Sequence, residues 1–157
     1  MVIWSRFVEV VNFLTHRYQK LGAVCINGSV PEQDRAKIIE DFQTDAKTMV
    51  FVGQIQSCGV GMTLHRASIE VFYDKCFLSA AMITQAEDRL HRIGMGDRCT
   101  VISLIAQGTI DEHWEALLLT KLRSADDVLG ESTSDRGGID ALNKEDVLRL
   151  LLVDKKD

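Results

Sequence analysis

The sequence predicts an α/β fold in which a parallel β-sheet carries helices on both faces. Short apolar runs of strand length alternate with segments whose apolar residues recur at helical spacing. The connections between these segments are short, as they are in such folds. One run, TMVFVG at 48–53, is almost continuously apolar, which is typical of a strand buried on both faces.

Residues 2–47 predict two strand–helix pairs. VIWS at 2–5 and AVCIN at 23–27 are short apolar runs that indicate strands. The helix after the first strand ends at Gly22, a typical residue beyond a helix C-terminus. The helix after the second strand has Ser29 as its expected N-cap. Its first turn and inner face, and the helical spacing of the first helix, are carried by Pro31, Ile38, Ile39 and Phe42 and by Phe7, Val11, Leu14, Tyr18 and Leu21, respectively.

The second half continues the alternation up to residue 130, which we take as the end of the main domain. Residues 131–157 are predicted to be a linker, ESTSDRGG, followed by a short amphipathic helix at 143–153. Between these limits we expect a loop and short helix at 54–66, strands at 69–74 and 99–106, a helix at 79–93 ending at Gly94, and a long helix at 109–129 ending at Gly130.

Composition restricts the class of protein. Hydrophobic residues make up 46% of the 157 residues, charged residues 26%, and the formal net charge is −5. This balance argues against a broadly basic nucleic-acid binder but leaves local phosphate contacts open. No apolar run approaches the roughly 18 residues that cross a bilayer, and the N-terminus lacks the pattern of a signal peptide. We therefore expect an intracellular protein with no membrane partner.

The four cysteines are expected to be reduced. Cys25, Cys58, Cys76 and Cys99 form no CxxC pair, and no histidine spacing completes a zinc pattern. We expect them to be small buried hydrophobic residues, and we expect no metal site.

A glycine-containing loop, GQIQSCGVGMTL at 53–64, follows the third strand. Ligands of parallel sheets bind outside the carboxyl ends of the strands. Gly59 and Gly61 would allow close approach of the backbone to a partner, and Ser57 and Thr63 offer hydroxyl groups. A tight turn before a helix explains the same pattern equally well.

The segment QAEDRLHRIG at 85–94 holds a second candidate site. If it is helical, Gln85, Arg89 and Arg92 lie on one face, where two guanidinium groups suit a polyanion. Periodicity alone is also compatible with a solvated charged helix. The chain has neither GxxxxGK[ST] nor an acidic strand end of the DEAD or DEAH kind, so it would supply only half of a nucleoside triphosphate site.

These segments resemble the second, C-terminal RecA-like lobe of superfamily-two helicases, specifically of the Swi/Snf-type ATP-dependent DNA translocases. The resemblance covers residues 2–130 and implies a RecA-like three-layer fold. The matching segments are VIWSRF (2–7, motif IV), INGSVPEQDRAKIIEDFQ (26–43), QIQSCGVGMTLHRAS (54–68, motif V), QAEDRLHRIGM (85–95, motif VI) and GTIDEHW (108–114).

The resemblance implies a motor lobe that acts on ATP bound with Mg²⁺ to a separate first lobe, in cis or in trans. Arg92 would be the arginine finger and Arg89 its companion. Gln85, with Gly59 and Gly61 of motif V, would couple the ATP cleft to lobe closure. We expect the isolated lobe to be inactive as an ATPase.

The resemblance also implies contacts with double-stranded DNA. The family places motif IV, the segment after it and motif V along the phosphates of one strand. On this chain the residues concerned are Ser5, Arg6, Gly28, Ser29 and Thr63, with the motif V glycines. Backbone amides and hydroxyl groups suffice for binding that does not depend on base sequence.

The chain departs from the family pattern at several positions. Met95 stands where the family has Gln, Cys58 where it has Gly, and Thr63 where it has Asn, and Phe77–Ser79 replace Trp-Asn-Pro. One alternative is a free-standing, non-catalytic lobe that binds nucleic acid or a protein partner. Another is an unrelated α/β nucleotide-binding protein, although the loop after the first strand has no glycine. The location would be nuclear in a eukaryote and cytoplasmic in a bacterium or its virus.

Overall fold

The computed structural model describes residues 1–58, 62–75, 78–90 and 99–129. The elements follow the predicted order of strands and helices. They are β1 (Val2–Ser5), α1 (Val8–Arg17), a 3₁₀ helix (Gln19–Leu21), β2 (Val24–Ile26), α2 (Glu32–Thr44), β3 (Phe51–Gln54), β4 (Ile69–Phe72), α3 (Ala80–Glu87), β5 (Thr100–Ser103) and α4 (Ile110–Leu129).

The described strands form one sheet in the order β2-β3-β1-β4-β5, and each neighbouring pair is parallel. β1 lies in the centre, where Trp4 is in register with Gly53 of β3 and with Phe72 of β4. Because all strands run in one direction, the residues that follow β1, β2, β3 and β4 meet at one edge. The parallel sheet predicted from the sequence is confirmed.

Helices α1 and α2 pack on opposite faces of this sheet. On one face, Val11 and Leu14 of α1 form a buried cluster with Ile3 and Val52. On the other, the ring of Phe42 in α2 lies 5.6 Å from that of Phe51. Successive strand residues point to opposite faces, so this arrangement buries both sides of the central strands. The prediction of helices on both faces is confirmed.

The chain forms two compact units. The first comprises Met1–Asp74 and Gln85–Leu104 and holds the described sheet. The second begins with Lys75–Thr84 and continues from Ile105. Within the second unit, Lys75 Nζ forms an ion pair with Glu115 Oε1 at 3.2 Å, and Trp114 is buried on α4.

Gly53 is required by the packing of Trp4. Trp4 is fully buried on the face that α2 covers. A Cβ atom at Gly53 would lie 2.2 Å from the indole Cζ3 of Trp4, well inside any permitted contact. The central strand pair therefore accommodates a large ring by having no side chain opposite it.

Two helix starts and ends differ from the prediction in the first unit. Regular α1 ends at Arg17, and the 3₁₀ helix completes the segment before Gly22, whose φ is 63°. Ser29 is not the N-cap of α2, because Pro31 occupies that position. The Ser29 hydroxyl instead donates to Asn27 Oδ1 at 2.6 Å.

Other differences concern the segments around the candidate site. The predicted short helix within 54–66 is absent from the described residues of that span, where residues 55–57 form a turn. Helix α3 ends at Glu87, well before Gly94, and residues 88–90 continue as turns. Gly94, Gly130, the linker at 131–138 and the helix at 143–153 lie outside the described residues. Within the described ranges, no helix is both long and apolar enough to span a membrane.

Candidate functional site

The carboxyl edge of the sheet gathers three of the segments singled out in the sequence. Residues 5–7 follow β1, residues 27–29 follow β2, and residues 54–58 follow β3. β3 lies between β2 and β1, so its loop has a candidate segment on each side. These are the segments that the resemblance assigns to DNA.

At the end of β1, Asp74 organises the loop. Its Oδ2 accepts a hydrogen bond from the Ser5 hydroxyl, and its Oδ1 accepts one from the Arg6 N–H at 2.8 Å. Ser5 is buried, whereas Arg6 is half-buried. The Ser5 hydroxyl therefore serves the protein's own loop in this structure. Asp74 was not predicted as a functional residue, although its position after β4 places it at this edge.

After β2, Asn27 shapes the turn that carries Gly28 and Ser29. Its Oδ1 accepts from the Ser29 N–H at 2.9 Å and from the Ser29 hydroxyl, while its Nδ2 donates to Asn12 Oδ1 at 3.0 Å. Asn27 is buried, and Gly28 and Ser29 are exposed. The turn thus presents its two candidate residues outward on a buried amide anchor that the sequence reading missed.

Gln54, the last residue of β3, bonds to all three loops. Its Oε1 accepts from the Gly28 N–H at 3.0 Å and from the Ser57 hydroxyl at 2.6 Å. Its Nε2 donates to the Arg6 carbonyl at 3.3 Å. No sequence motif marks Gln54, because its partners are assembled only when the strands pair.

Arg35 of α2 adds a second link between two of these loops. Its Nε donates to the Val30 carbonyl at 3.1 Å, and its Nη1 donates to the Ser57 carbonyl at 2.8 Å. Nη1 also lies 3.1 Å from Glu32 Oε2. The segments at 28–30 and 54–58 are therefore held together by a neutral amide and by a guanidinium group.

Thr63 lies on a stretch that connects with the 85–90 segment. The Thr63 carbonyl accepts from Gln43 Nε2 at 2.7 Å. The next N–H along, that of Leu64, donates to the Arg89 carbonyl at 2.8 Å. Motif V and motif VI thus meet in the structure, as an ATP cleft and a DNA path acting together would require. Gly59 and Gly61 lie outside the described residues.

Arg89 stacks on the buried indole of Trp4. Its Cζ lies 5.7 Å from the ring centroid, within cation–π range. Its Nε donates to the Gln85 carbonyl at 3.2 Å, and its Nη1 is buried with no hydrogen-bond partner among the described residues. Burial lowers the pKa of the Arg89 guanidinium. Gln85 is exposed at the end of α3, and Arg92 lies outside the described residues.

The shared helical face predicted for Gln85 and Arg89 is corrected by the end of α3 at Glu87. The Arg89 N–H bonds to the Ala86 carbonyl at 3.2 Å, three residues back, as in a tightened final turn. The two residues nevertheless contact each other through the Arg89 side chain. Proximity survives, but the regular helix that was its stated reason does not extend that far.

Glu70 is an ionisable residue of this region that the sequence reading missed. Its Oε1 accepts from the Trp4 indole N–H at 2.6 Å, and only 1% of its surface is exposed. Burial raises the pKa of Glu70 to about 7, with a further increase from Glu87, while the Trp4 hydrogen bond and Arg89 oppose the shift. A glutamate within a strand carries no sequence signal for this environment.

Cys58 is a buried thiol within motif V. Only 2% of its surface is exposed, and burial raises its pKa to about 12. Cys25 and Cys99 are half-buried, and all three are free of disulfides. Cys76 lies outside the described residues. Among the residues that are described, no group of three or more His, Cys, Asp or Glu side chains could hold a metal ion.

Comparison with known proteins gives a family match over the sheet and its site. Residues 1–94 match the family described as helicase conserved C-terminal domain. A SWI/SNF-related matrix-associated actin-dependent regulator of chromatin subfamily A-like protein 1 homolog of Caenorhabditis elegans is 40% identical over 113 residues, which are 72% of this chain and 16% of that protein. The ATP-dependent helicase fft1 of Schizosaccharomyces pombe is 34% identical over 124 residues, 78% of this chain and 13% of that protein.

A solved structure shows the same fold. The C-terminal part of the Fun30 ATPase domain matches with a TM-score of 0.72 and 23% identity, over 95% of this chain and 44% of that one. At this identity the likeness concerns the fold alone. The chain also spans less than a fifth of the length of either curated relative above.

Proposed function

The chain belongs to the helicase conserved C-terminal domain family and is a RecA-like C-terminal lobe of the SWI/SNF type, and from this premise we propose that it is one half of an ATP-driven DNA motor. In this proposal Arg89 and Arg92 act on ATP held by a first lobe. The carboxyl-edge loops hold DNA phosphates. We take residues 1–130 as the lobe and 131–157 as its linker and short helix.

The observation that carries the proposal is the position of Arg89. Its guanidinium group stacks on Trp4, and its Nη1 is buried without a partner among the described residues. Leaving such a charged donor unsatisfied is costly, so its presence suggests a ligand that completes it. The oxygens of a γ-phosphate have the charge and the acceptors required. The link from Leu64 to Arg89 would transmit closure to motif V.

The chemistry asked of these residues is electrostatic. ATP with Mg²⁺ would be held by the first lobe, in cis or in trans, where charge develops on the transferred phosphoryl group. A guanidinium group brought in on closure stabilises that charge, and an arginine finger is typically worth about 10³–10⁵ in rate. Arg92 takes that role in the proposal, Arg89 assists it, and Gln85, Gly59 and Gly61 couple the cleft to closure.

The DNA side of the proposal rests on the outward turn at 28–29 and on Arg6. Gly28 and Ser29 are exposed at the same edge as Arg6, with Ser5 and Thr63 beside them in the chain's loops. We propose double-stranded DNA as the track. Two of the relatives are named as chromatin regulator and ATP-dependent helicase, which favours a nuclear location for this chain.

The test is to reconstitute ATP hydrolysis from separate lobes. The full chain is mixed with the first lobe of a SWI/SNF-type relative, and phosphate release is measured with and without a 30-base-pair duplex. We expect DNA-dependent hydrolysis from the mixture and none from the chain alone. Arg92→Ala is expected to lower the rate by about 10³-fold or more, and Arg89→Ala is also expected to lower it.

Arg17→Ala is the matched control, because Arg17 is an exposed arginine in the last turn of α1, far along the chain from motif VI. It removes the same charge and is expected to leave the rate unchanged. Hydrolysis by the chain alone, or an unchanged rate in Arg92→Ala, would contradict the proposal. A mixture that binds DNA without hydrolysis would favour the non-catalytic binding lobe.

A further inference from the structure

We propose that Gln54 is a positioning residue for the nucleic-acid interface, which sets the spacing between the three loops that hold the phosphate backbone. The inference rests on the proposed function, since it requires that these loops contact DNA. It concerns a residue that acts through its neighbours and does not itself need to contact the ligand.

The geometry that points to this role is the convergence of three loops on one side chain. Gln54 ends β3, which lies between β2 and β1 in the sheet. Its amide oxygen accepts from Gly28 on one side and from Ser57 further along its own loop. Its amide nitrogen reaches the Arg6 carbonyl on the other side. One planar group therefore relates loops that are 26 and 48 residues away in sequence.

The chemistry of the amide suits this position. A carboxamide has an oxygen that accepts two hydrogen bonds and a nitrogen that donates, so one side chain serves both kinds of partner. A carboxylate could accept from Gly28 and Ser57 but could not donate to Arg6. Methionine has similar length and could do neither. Gln54→Met therefore removes all three bonds while retaining most of the side-chain volume.

The sheet itself does not depend on these bonds. Phe51 and Val52 of β3 are fully buried and carry its packing, while Gln54 is half-exposed at the end of the strand. Loss of the amide should therefore loosen exposed loops and leave the core in place. A loop that must be ordered on binding costs affinity, which is how preorganisation would appear in a binding constant.

The experiment measures DNA affinity and its salt dependence with the full chain. Fluorescence anisotropy follows a fluorescein-labelled 30-base-pair duplex at a series of salt concentrations. Gln54→Met is expected to raise Kd about tenfold, as the loss of one or two ordinary hydrogen bonds of preorganisation would do. The slope of log Kd against log salt is expected to fall by about one phosphate contact, which a general loss of stability would not cause.

Thr48→Val is the matched control. It removes the hydrogen bond from the Thr48 hydroxyl to Asp45 Oδ2, 3.1 Å long, with almost no change of volume. Thr48 precedes β3, at the opposite edge of the sheet from Gln54. We expect its DNA affinity and salt slope to equal those of the wild type.

The outcomes separate this inference from the proposed function. No binding by the wild-type chain overturns both. Wild-type binding that Gln54→Met leaves unchanged or strengthens overturns the inference alone, as does an equal loss in Thr48→Val. If Gln54→Met does not fold, Ser57→Ala removes only the hydroxyl bond to Oε1 and is expected to raise Kd about threefold. An unchanged Kd in that variant also overturns the inference.

Discussion

The indole N–H of Trp4 donates a 2.6 Å hydrogen bond to Oε1 of Glu70, and both side chains are almost completely buried. The same indole carries the guanidinium group of Arg89 on its face. A carboxyl group, an aromatic ring and an arginine of motif VI are thus stacked in one buried column. The protonation of Glu70 and the packing of Trp4 can therefore be measured through stability.

Glu70→Gln should remove a pH dependence of stability. The pKa of Glu70 is raised from 4.5 to about 7 in the folded protein, so the folded state binds more protons than the unfolded state between these values. Stability therefore falls as the pH rises through that window, by up to about 1.4 kcal/mol per pH unit. Glutamine keeps an acceptor for Trp4 and does not ionise.

The measurement is chemical denaturation of both proteins from pH 4.5 to 8. At the acid end the two should be equally stable, and above pH 7 the variant should be more stable by up to about 3 kcal/mol. Glu9→Gln, which neutralises an exposed glutamate of α1, should show no such pH-dependent difference. A constant difference between Glu70→Gln and wild type across the range would refute the assignment.

Gly53→Ala should be strongly destabilising. The added methyl group would lie 2.2 Å from Cζ3 of Trp4, so the ring or the central strands must move. Overpacking of a core costs typically about 1–3 kcal/mol and occasionally more, and here we expect the upper part of that range. Thermal unfolding measures it. Gly108→Asn serves as comparison, since its surroundings are open and asparagine tolerates its positive φ of 70°; a comparable loss there would argue against a steric cause.

Cys58 should be the slowest to react of the three described cysteines. Burial raises the pKa of its thiol to about 12, so at pH 8 only about one molecule in ten thousand carries the reactive thiolate. Cys25 and Cys99 are more accessible. Iodoacetamide labelling followed by peptide mass spectrometry should modify Cys25 and Cys99 first, and Cys58 only after denaturation. Early labelling of Cys58 in the folded protein would show that motif V opens readily.

Arg66→Met should destabilise the first unit by about 1–3 kcal/mol. Arg66 Nη1 donates to the carbonyl groups of Phe42 at 2.6 Å, Asp45 at 2.7 Å and Thr48 at 3.2 Å. Methionine removes this donor and leaves those carbonyls without it. Urea denaturation compares this variant with Arg17→Met, in which an exposed arginine is replaced and stability should change little. Equal effects would indicate a role of charge alone.

Much of the fold could be predicted because it follows from local patterns. Helical spacing in α1 and the apolar run of β3 are consequences of burying one face or two, and they are readable in a single segment. Segments such as QAEDRLHRIGM carry enough letters to indicate the family. Helix ends were less predictable: Ser29 has the chemistry of an N-cap, but Asn27 bonds its hydroxyl, and Pro31 takes the cap position instead.

The sequence by itself determined the order of strands and helices, the parallel sheet, and the edge at which the candidate residues meet, because these depend on periodicity and strand direction. Only the tertiary structure decided which side chains contact each other. Glu70 bonds to Trp4 across 66 residues, and Gln54 to Arg6 across 48. The register of the strands and the absence of a side chain at Gly53 bring these pairs together, and neither condition is written in any one segment.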